Sequence, residues 1–136
     1  MAYSIFETEV IIRPDDIDMN NHVHNSRYLD LVLAARFHQM KHNYGMTMEE
    51  FIARGLGWVV SACFIQFKRP LVLGDIAIVK TGIESVGTTG AKVRFEILRK
   101  ETMKIAADGY FDYTMINLKT GRAEKLPEDI INIYSV

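Results

Sequence analysis

Cysteine is almost absent from this 136-residue chain, and with it goes any internal disulfide, because the single thiol, Cys63, has no partner. Cys63 sits in an apolar run that reads as a strand, which predicts a buried core thiol. Charge of one sign is missing as well. Sixteen basic residues against seventeen acidic ones leave a net charge of −1. That balance gives no field for holding nucleic acid or an anionic membrane, and it points to a small ligand or an uncharged partner. No apolar stretch is long enough to cross a bilayer. Met1 to Val10 carries Glu7 and Glu9 where a signal peptide needs a basic start and an apolar run, so a cytoplasmic address is expected. Linkers, repeats and low-complexity tracts are lacking too. With 49% hydrophobic content the chain is expected to form one domain over residues 1–136 with a core of its own.

What the chain does have is one unusually polar segment, Asp16-Ile17-Asp18-Met19-Asn20-Asn21-His22-Val23-His24-Asn25-Ser26-Arg27-Tyr28, set directly before a run of apolar helix. Asp15, Asp16, Asp18, three asparagines and two histidines in front of a core element cost desolvation unless they find partners or face a ligand. Ahead of this segment, Ser4 to Ile12 is rich in β-branched and aromatic residues and stops at Arg13-Pro14, the pattern of a first strand. Behind it a helix is expected from Asn25 or Ser26, either of which can cap the first turn, to about Asn43. Its first half, from Tyr28 to Phe37, has almost no polar face and is expected to be buried all round. The second half, with His38, Gln39, Lys41 and His42, is expected to be solvated.

Further along, Thr47-Met48-Glu49-Glu50 has the form of a capping box, and Gly55 is placed to close a short helix. Strands are expected at Trp58 to Phe67, at Ile76 to about Val86, from Ala91 to Ile97, where apolar residues alternate with Lys92, Arg94 and Glu96, and from Lys104 to about Asn117. An irregular tail follows. Five strands, four of them consecutive, and a helix too apolar for the outside predict an α+β domain in which a curved antiparallel sheet wraps around the helix.

Metal and nucleotide chemistry find no support in the spacing. Asp16, Asp18 and Asn20 match the first three ligand positions of a calcium loop, but Asn21 stands where its glycine belongs and Arg27 where its glutamate belongs. His38 and His42 share a helix face without the glutamate of a His-Glu-x-x-His site. The Gly87 to Gly90 turn has neither phosphate-loop spacing nor a following helix. No metal and no cofactor are expected.

The polar segment, the first strand before it, the apolar helix after it, and a long strand ending at Pro70 with Gly74-Asp75 beyond together resemble a single hotdog-fold thioesterase of the 4-hydroxybenzoyl-CoA thioesterase superfamily. Within that group the segment is most similar to the D-x-D-x-N-x-H-V-N-N-x-x-Y pattern of acyl-carrier-protein thioesterases. The resemblance implies hydrolysis of acyl thioesters, carried by CoA or by an acyl-carrier protein. It assigns Asp18 as nucleophile or water-activating base, with Asn20 to orient water or carboxylate and His22 to accept a proton. Asn25 and the free amides around it would meet the substrate oxyanion at the positive end of the helix dipole.

Three departures stand out. His24 replaces the first asparagine of the Asn-Asn pair. The plant acyl-carrier enzymes repeat the fold twice in one chain, whereas one copy is present here. They also place a glutamate or cysteine just after the second strand, where this chain has Pro70 and Leu71. A single copy leaves a strand edge unpaired, so a homodimer or homotetramer with sites at the interface is expected. Lys68, Arg69, Lys92, Arg94, Arg99 and Lys100 are available to CoA phosphates or to an acidic carrier. The acyl pocket is expected between the first half of the helix and the strand from Trp58 to Phe67. The competing readings are an acyl-CoA-binding hotdog module without catalysis, and a hydratase or dehydratase on the same fold.

Overall fold

The computed structural model describes residues 3–136. Strand β1 (Ile5–Ile11) leads through a single 3₁₀ turn at Pro14–Asp16 and the polar loop into helix α1 (Asn25–Gln39), which widens into a π-helical turn at Met40–Tyr44. Helix α2 (Met48–Ala53) follows, then strands β2 (Leu56–Phe67), β3 (Ile76–Val86), β4 (Gly90–Arg99) and β5 (Lys104–Asn117), and finally helix α3 (Glu128–Tyr134). The strands form one sheet in the order β1-β3-β4-β5-β2, and every pairing is antiparallel. Register shifts at Val60/Ala62, Ile83/Ser85 and Ile97/Leu98 add twist where the sheet must curl. The α+β hotdog architecture expected from the pattern is present.

Helix α1 lies against the sheet through one stripe: Tyr28, Leu31, Val32, Ala35, Arg36 and Gln39 are its buried residues, at the spacing of a single helical face. Opposite them pack Val79, Phe95, Ile97 and Phe111 from β3, β4 and β5. Each fully buried aliphatic side chain here contributes about 1.5–3 kcal/mol by leaving water. A second core cluster, with Phe51, Val93, Met115, Ile130 and Tyr134, closes the other end of the sheet.

Several expectations need correction. Neither Asn25 nor Ser26 caps α1 through its side chain. The helix begins at Asn25, with His24 at the N-cap and no side chain bonding the first-turn amides. Leu33, Ala34 and Phe37 are exposed, so this chain covers only one side of the helix. Gln39 is fully buried instead of solvated, because its carboxamide finds partners inside: Nε2 donates to Thr8 Oγ1 at 3.0 Å and to the Phe6 carbonyl at 3.3 Å. Cys63 is exposed instead of buried. β2 is an edge strand whose sole neighbour is β5, and most of its residues beyond Trp58 remain open. The tail is not irregular throughout, since α3 folds back and buries Ile130 and Tyr134. Thr47 does cap α2, its Oγ1 accepting the Glu50 amide at 3.3 Å, and Gly55 takes the left-handed conformation just after it.

Candidate active site

The loop before α1 is folded by its own polar residues. Ile17 and Val23 form an isolated bridge, the Asp18 amide donates to the His22 carbonyl at 2.8 Å, and the Asn21 amide donates to the Asp18 carbonyl at 3.2 Å. Asn21 turns the corner at φ +59°, a conformation that asparagine tolerates better than most residues. Within this turn the Asp18 side chain accepts two backbone amides on a single oxygen: Oδ1 takes the amide of Asn20 at 2.8 Å and that of His22 at 3.1 Å. The Oδ2 atom carries no hydrogen bond to the protein among the described residues. The His22 amide, followed by that of Asn20, holds the carboxyl below the usual aspartate range, so Asp18 is an anion at working pH.

Neighbouring acids anchor the loop to the helix. Asp16 is buried, accepts the Arg13 amide at 2.8 Å and lies 3.6 Å from the Arg27 guanidinium, which also faces Asp15 and Asp30. On the other side the Val23 amide donates to the Leu71 carbonyl at 2.8 Å. The Leu71 amide in turn donates to the Tyr28 hydroxyl at 3.2 Å. Loop, helix start and the segment after β2 are thereby tied together, and buried Leu71 acts as the knot between them.

Asn20, His22 and Asn25 are all exposed. Asn20 and His22 meet Asp18 through their amides, while their side chains remain open to a ligand. Asn25 occupies the first turn of α1, where the first amides have no intrahelical acceptor and the positive end of the helix dipole lies. The six basic residues singled out as CoA contacts are each engaged. Lys68 pairs with Asp108, Arg94 with Glu84, Arg99 with Asp75 and Lys100 with Glu9, while Arg69 donates to the Ile105 carbonyl and Lys92 sits over the Tyr110 ring.

A cavity of about 410 Å³ opens between α1, the sheet and α3. It meets α1 at Leu33 and Phe37 and β2 at Trp58 and Val60, within the helix half and the strand expected to line a pocket, and it extends beyond them to Met40, Ile130 and Tyr134. At 1.5 Å per residue, the eight steps from Asn25 to Leu33 span about 12 Å, which separates a chain's own Asp18 loop from the cavity. The expectation missed Arg36, Tyr113 and the whole of α3 as lining. A signal for Arg36 was present: Tyr28, Val32 and Arg36 are spaced by four, which puts the arginine on the buried face.

Among the described residues no group of three or more histidine, cysteine, aspartate or glutamate side chains is placed to hold a metal ion. No helix among them is long and apolar enough to cross a membrane.

A family model for the thioesterase-like superfamily matches residues 12–133, a span that includes the Asp18 loop and every cavity-lining residue except Tyr134. The chain belongs to that superfamily. It is 23% identical over 124 residues to the long-chain acyl-CoA thioesterase FadM of Escherichia coli, covering 91% of this chain and 92% of the relative. Members of known structure share the hotdog fold. A DHNA-CoA thioesterase from Staphylococcus aureus superposes with a TM-score of 0.87 at 22% identity, covering 99% of this chain and 90% of that one. A second Staphylococcus aureus protein, solved in complex with CoA, superposes with a TM-score of 0.85 at 18% identity, covering 98% and 83%.

Proposed function

We propose that this protein hydrolyses acyl-CoA thioesters to a carboxylic acid and CoA, with Asp18 as the attacking group. The observation that carries the reading is the split use of the Asp18 carboxylate: Oδ1 is fixed by two amides and Oδ2 is left free. The lowered pKa keeps Asp18 ionised and makes it a poor proton acceptor, so direct attack by the carboxylate is the role we assign to it. Oδ2 adds to the thioester carbonyl carbon, and the oxyanion that forms is received by the open amides at the start of α1. Collapse breaks the C–S bond and releases CoA as the thiolate, leaving an acyl-aspartyl anhydride. Water then adds to the acyl carbon, His22 takes its proton and passes it to the thiolate, and the Asp18 carboxylate departs. Asn20 orients that water. The name of the FadM relative supports CoA as carrier over an acyl-carrier protein.

The site is completed in a homodimer. The free edge of β2, with Val59, Val60, Phe64 and Phe67 each at least 40% exposed, supports edge-to-edge pairing. Two-fold pairing sets the two α1 helices antiparallel. One protomer's Asp18 loop then lies beside the Leu33–Phe37 stretch of its partner's helix, where the cavity opens. Leu33, Ala34 and Phe37 lie on the helix face that such a partner would cover.

The test is release of free thiol from acyl-CoAs of increasing chain length, with hydroxylamine added to trap the anhydride as a hydroxamate. Turnover by the wild-type protein, with hydroxamate formed faster than by the uncatalysed reaction of hydroxylamine with the thioester and no faster than that background with Asp18→Asn, supports the reading. Turnover with hydroxamate formed only at that background rate would move Asp18 from nucleophile to base, and no turnover on any acyl-CoA would remove the activity.

A further inference from the structure

The cavity is apolar except at one place. Arg36 lines it and is 8% exposed, a burial that arginine rarely accepts without a carboxylate partner. Its Nη1 donates to Thr81 Oγ1 at 3.1 Å, the Thr81 hydroxyl donates to Gln39 Oε1, and Gln39 continues the chain to β1. The guanidinium carbon lies 5.3 Å from the centre of the Tyr44 ring. These contacts fix the head group and bring no negative charge to it. None of the ion pairs among the described residues includes Arg36.

Tyr113 lines the same cavity from β5. Its hydroxyl is the one buried side-chain polar atom among the described residues with no hydrogen-bond partner. Arg36 stands near enough to influence the phenol electrostatically, yet no hydrogen bond of normal geometry joins them. Burial pushes the phenol up to about 12, with Arg36 opposing the rise, so the group remains an O–H donor throughout the working range. A fixed cation and an unused donor thus lie in an otherwise apolar wall, the arrangement by which ligand pockets impose orientation.

We infer that the cavity takes an acyl group whose far end is a carboxylate, received by the Arg36 guanidinium and the Tyr113 hydroxyl, an inference that rests on reading this cavity as the acyl site. Leu33, Met40, Val93 and Ile130 enclose the methylene chain, and the terminal carboxylate supplies the charge that Arg36 lacks. A methyl-terminated acyl group of the same length leaves both polar groups unanswered, which is how a site rejects an analogue that lacks one oxygen function.

The experiment compares pairs of acyl-CoAs of equal chain length, one ending in methyl and one in carboxylate. The ratio of kcat/KM within each pair is measured for the wild type, Arg36→Met and Tyr113→Phe. The expected ratio favours the carboxylate at least about tenfold in the wild type, falls to near one in Arg36→Met, and falls several-fold in Tyr113→Phe, whose ring still fills its place. In parallel, calorimetry on the Asp18→Asn variant measures binding of the non-hydrolysable thioether analogues of the same pair. Tighter binding of the carboxylate analogue supports the inference even if no thioester is turned over, so its fate is separable from that of the hydrolase reading. Equal or weaker binding of that analogue, or a ratio that Arg36→Met and Tyr113→Phe leave unchanged, overturns it.

Discussion

The amide of His22 donates to Asp18 Oδ1 at 3.1 Å, so the residue proposed as proton acceptor also holds the proposed nucleophile in place, through its backbone. The Asn20 amide bonds the same oxygen at 2.8 Å. The turn is thus held through Oδ1 alone, which leaves Oδ2 for the attack proposed above.

Asp18→Asn is expected to keep the turn, because a carboxamide oxygen can still accept both amides, and to lose the charge needed for attack. Circular dichroism and thermal melting should match the wild type. Thiol release should fall by about a thousandfold, in the range for removing a nucleophile or a positioned base. Turnover above a tenth of the wild-type value would exclude Asp18 from the chemistry.

The pH dependence follows from the sign of the Asp18 shift. Its folded pKa is depressed, so the ionised, attacking form persists as pH falls through the ordinary aspartate value near 3.9 and is lost only below it. The stability linked to this group is likewise present above the unfolded value and lost as pH drops through the folded one. In a profile of kcat/KM, any acid limb due to Asp18 should lie below about pH 4. His22→Ala should lower kcat and change this profile, and a profile that the substitution leaves unaltered would contradict the role given to His22.

Mixing two inactive variants tests whether the site is shared. Asp18→Asn removes the nucleophile, and Ile130→Trp fills the cavity. If each site takes its loop from one protomer and its cavity from the other, co-expression gives mixed dimers with one intact site. Activity should then recover to about a quarter of wild type. No recovery, with mixed dimers demonstrated by mass, would place the loop and cavity of each site in the same chain.

Gln39→Leu examines the buried polar chain behind the cavity. Leucine fits the volume but deserts Thr8, Thr81 and the Phe6 carbonyl, so unfolding free energy should fall by about 1–3 kcal/mol. Denaturant melts read this directly, and an unchanged midpoint would show that water takes over those partners.

Much of this molecule was legible residue by residue. The alternation of Val93, Phe95 and Ile97 with Arg94 and Glu96 marked β4, and β3 begins directly after Gly74-Asp75, as the pattern of residues put it. The Asp18 loop stood out because its polar residues precede an apolar helix. Cys63 could not be placed that way: its exposure depends on β2 being an edge, a property of strand order and not of the strand. Gln39 and Arg36 were misread or overlooked because their partners, Thr8 and Thr81, are distant in sequence. Helix α3 is short and rich in isoleucine, and Tyr134 helps to hold it by stacking on Tyr44 and donating to the Met46 carbonyl at 3.0 Å. Propensity alone does not foretell such a segment.

Helix α3 contributes a wall of the cavity while standing outside the strand ladder, joined to the body by side-chain packing, the Tyr134 bond and the Arg54–Asp129 ion pair. Size and shape at that end of the cavity can therefore change by substitution at Ile130 or Ile131 without disturbing any pairing of the sheet. On the proposed reading of this cavity as the acyl site, chain-length preference is set from the last helix without altering the strand ladder, while Ile130, as a core residue, ties that preference to stability.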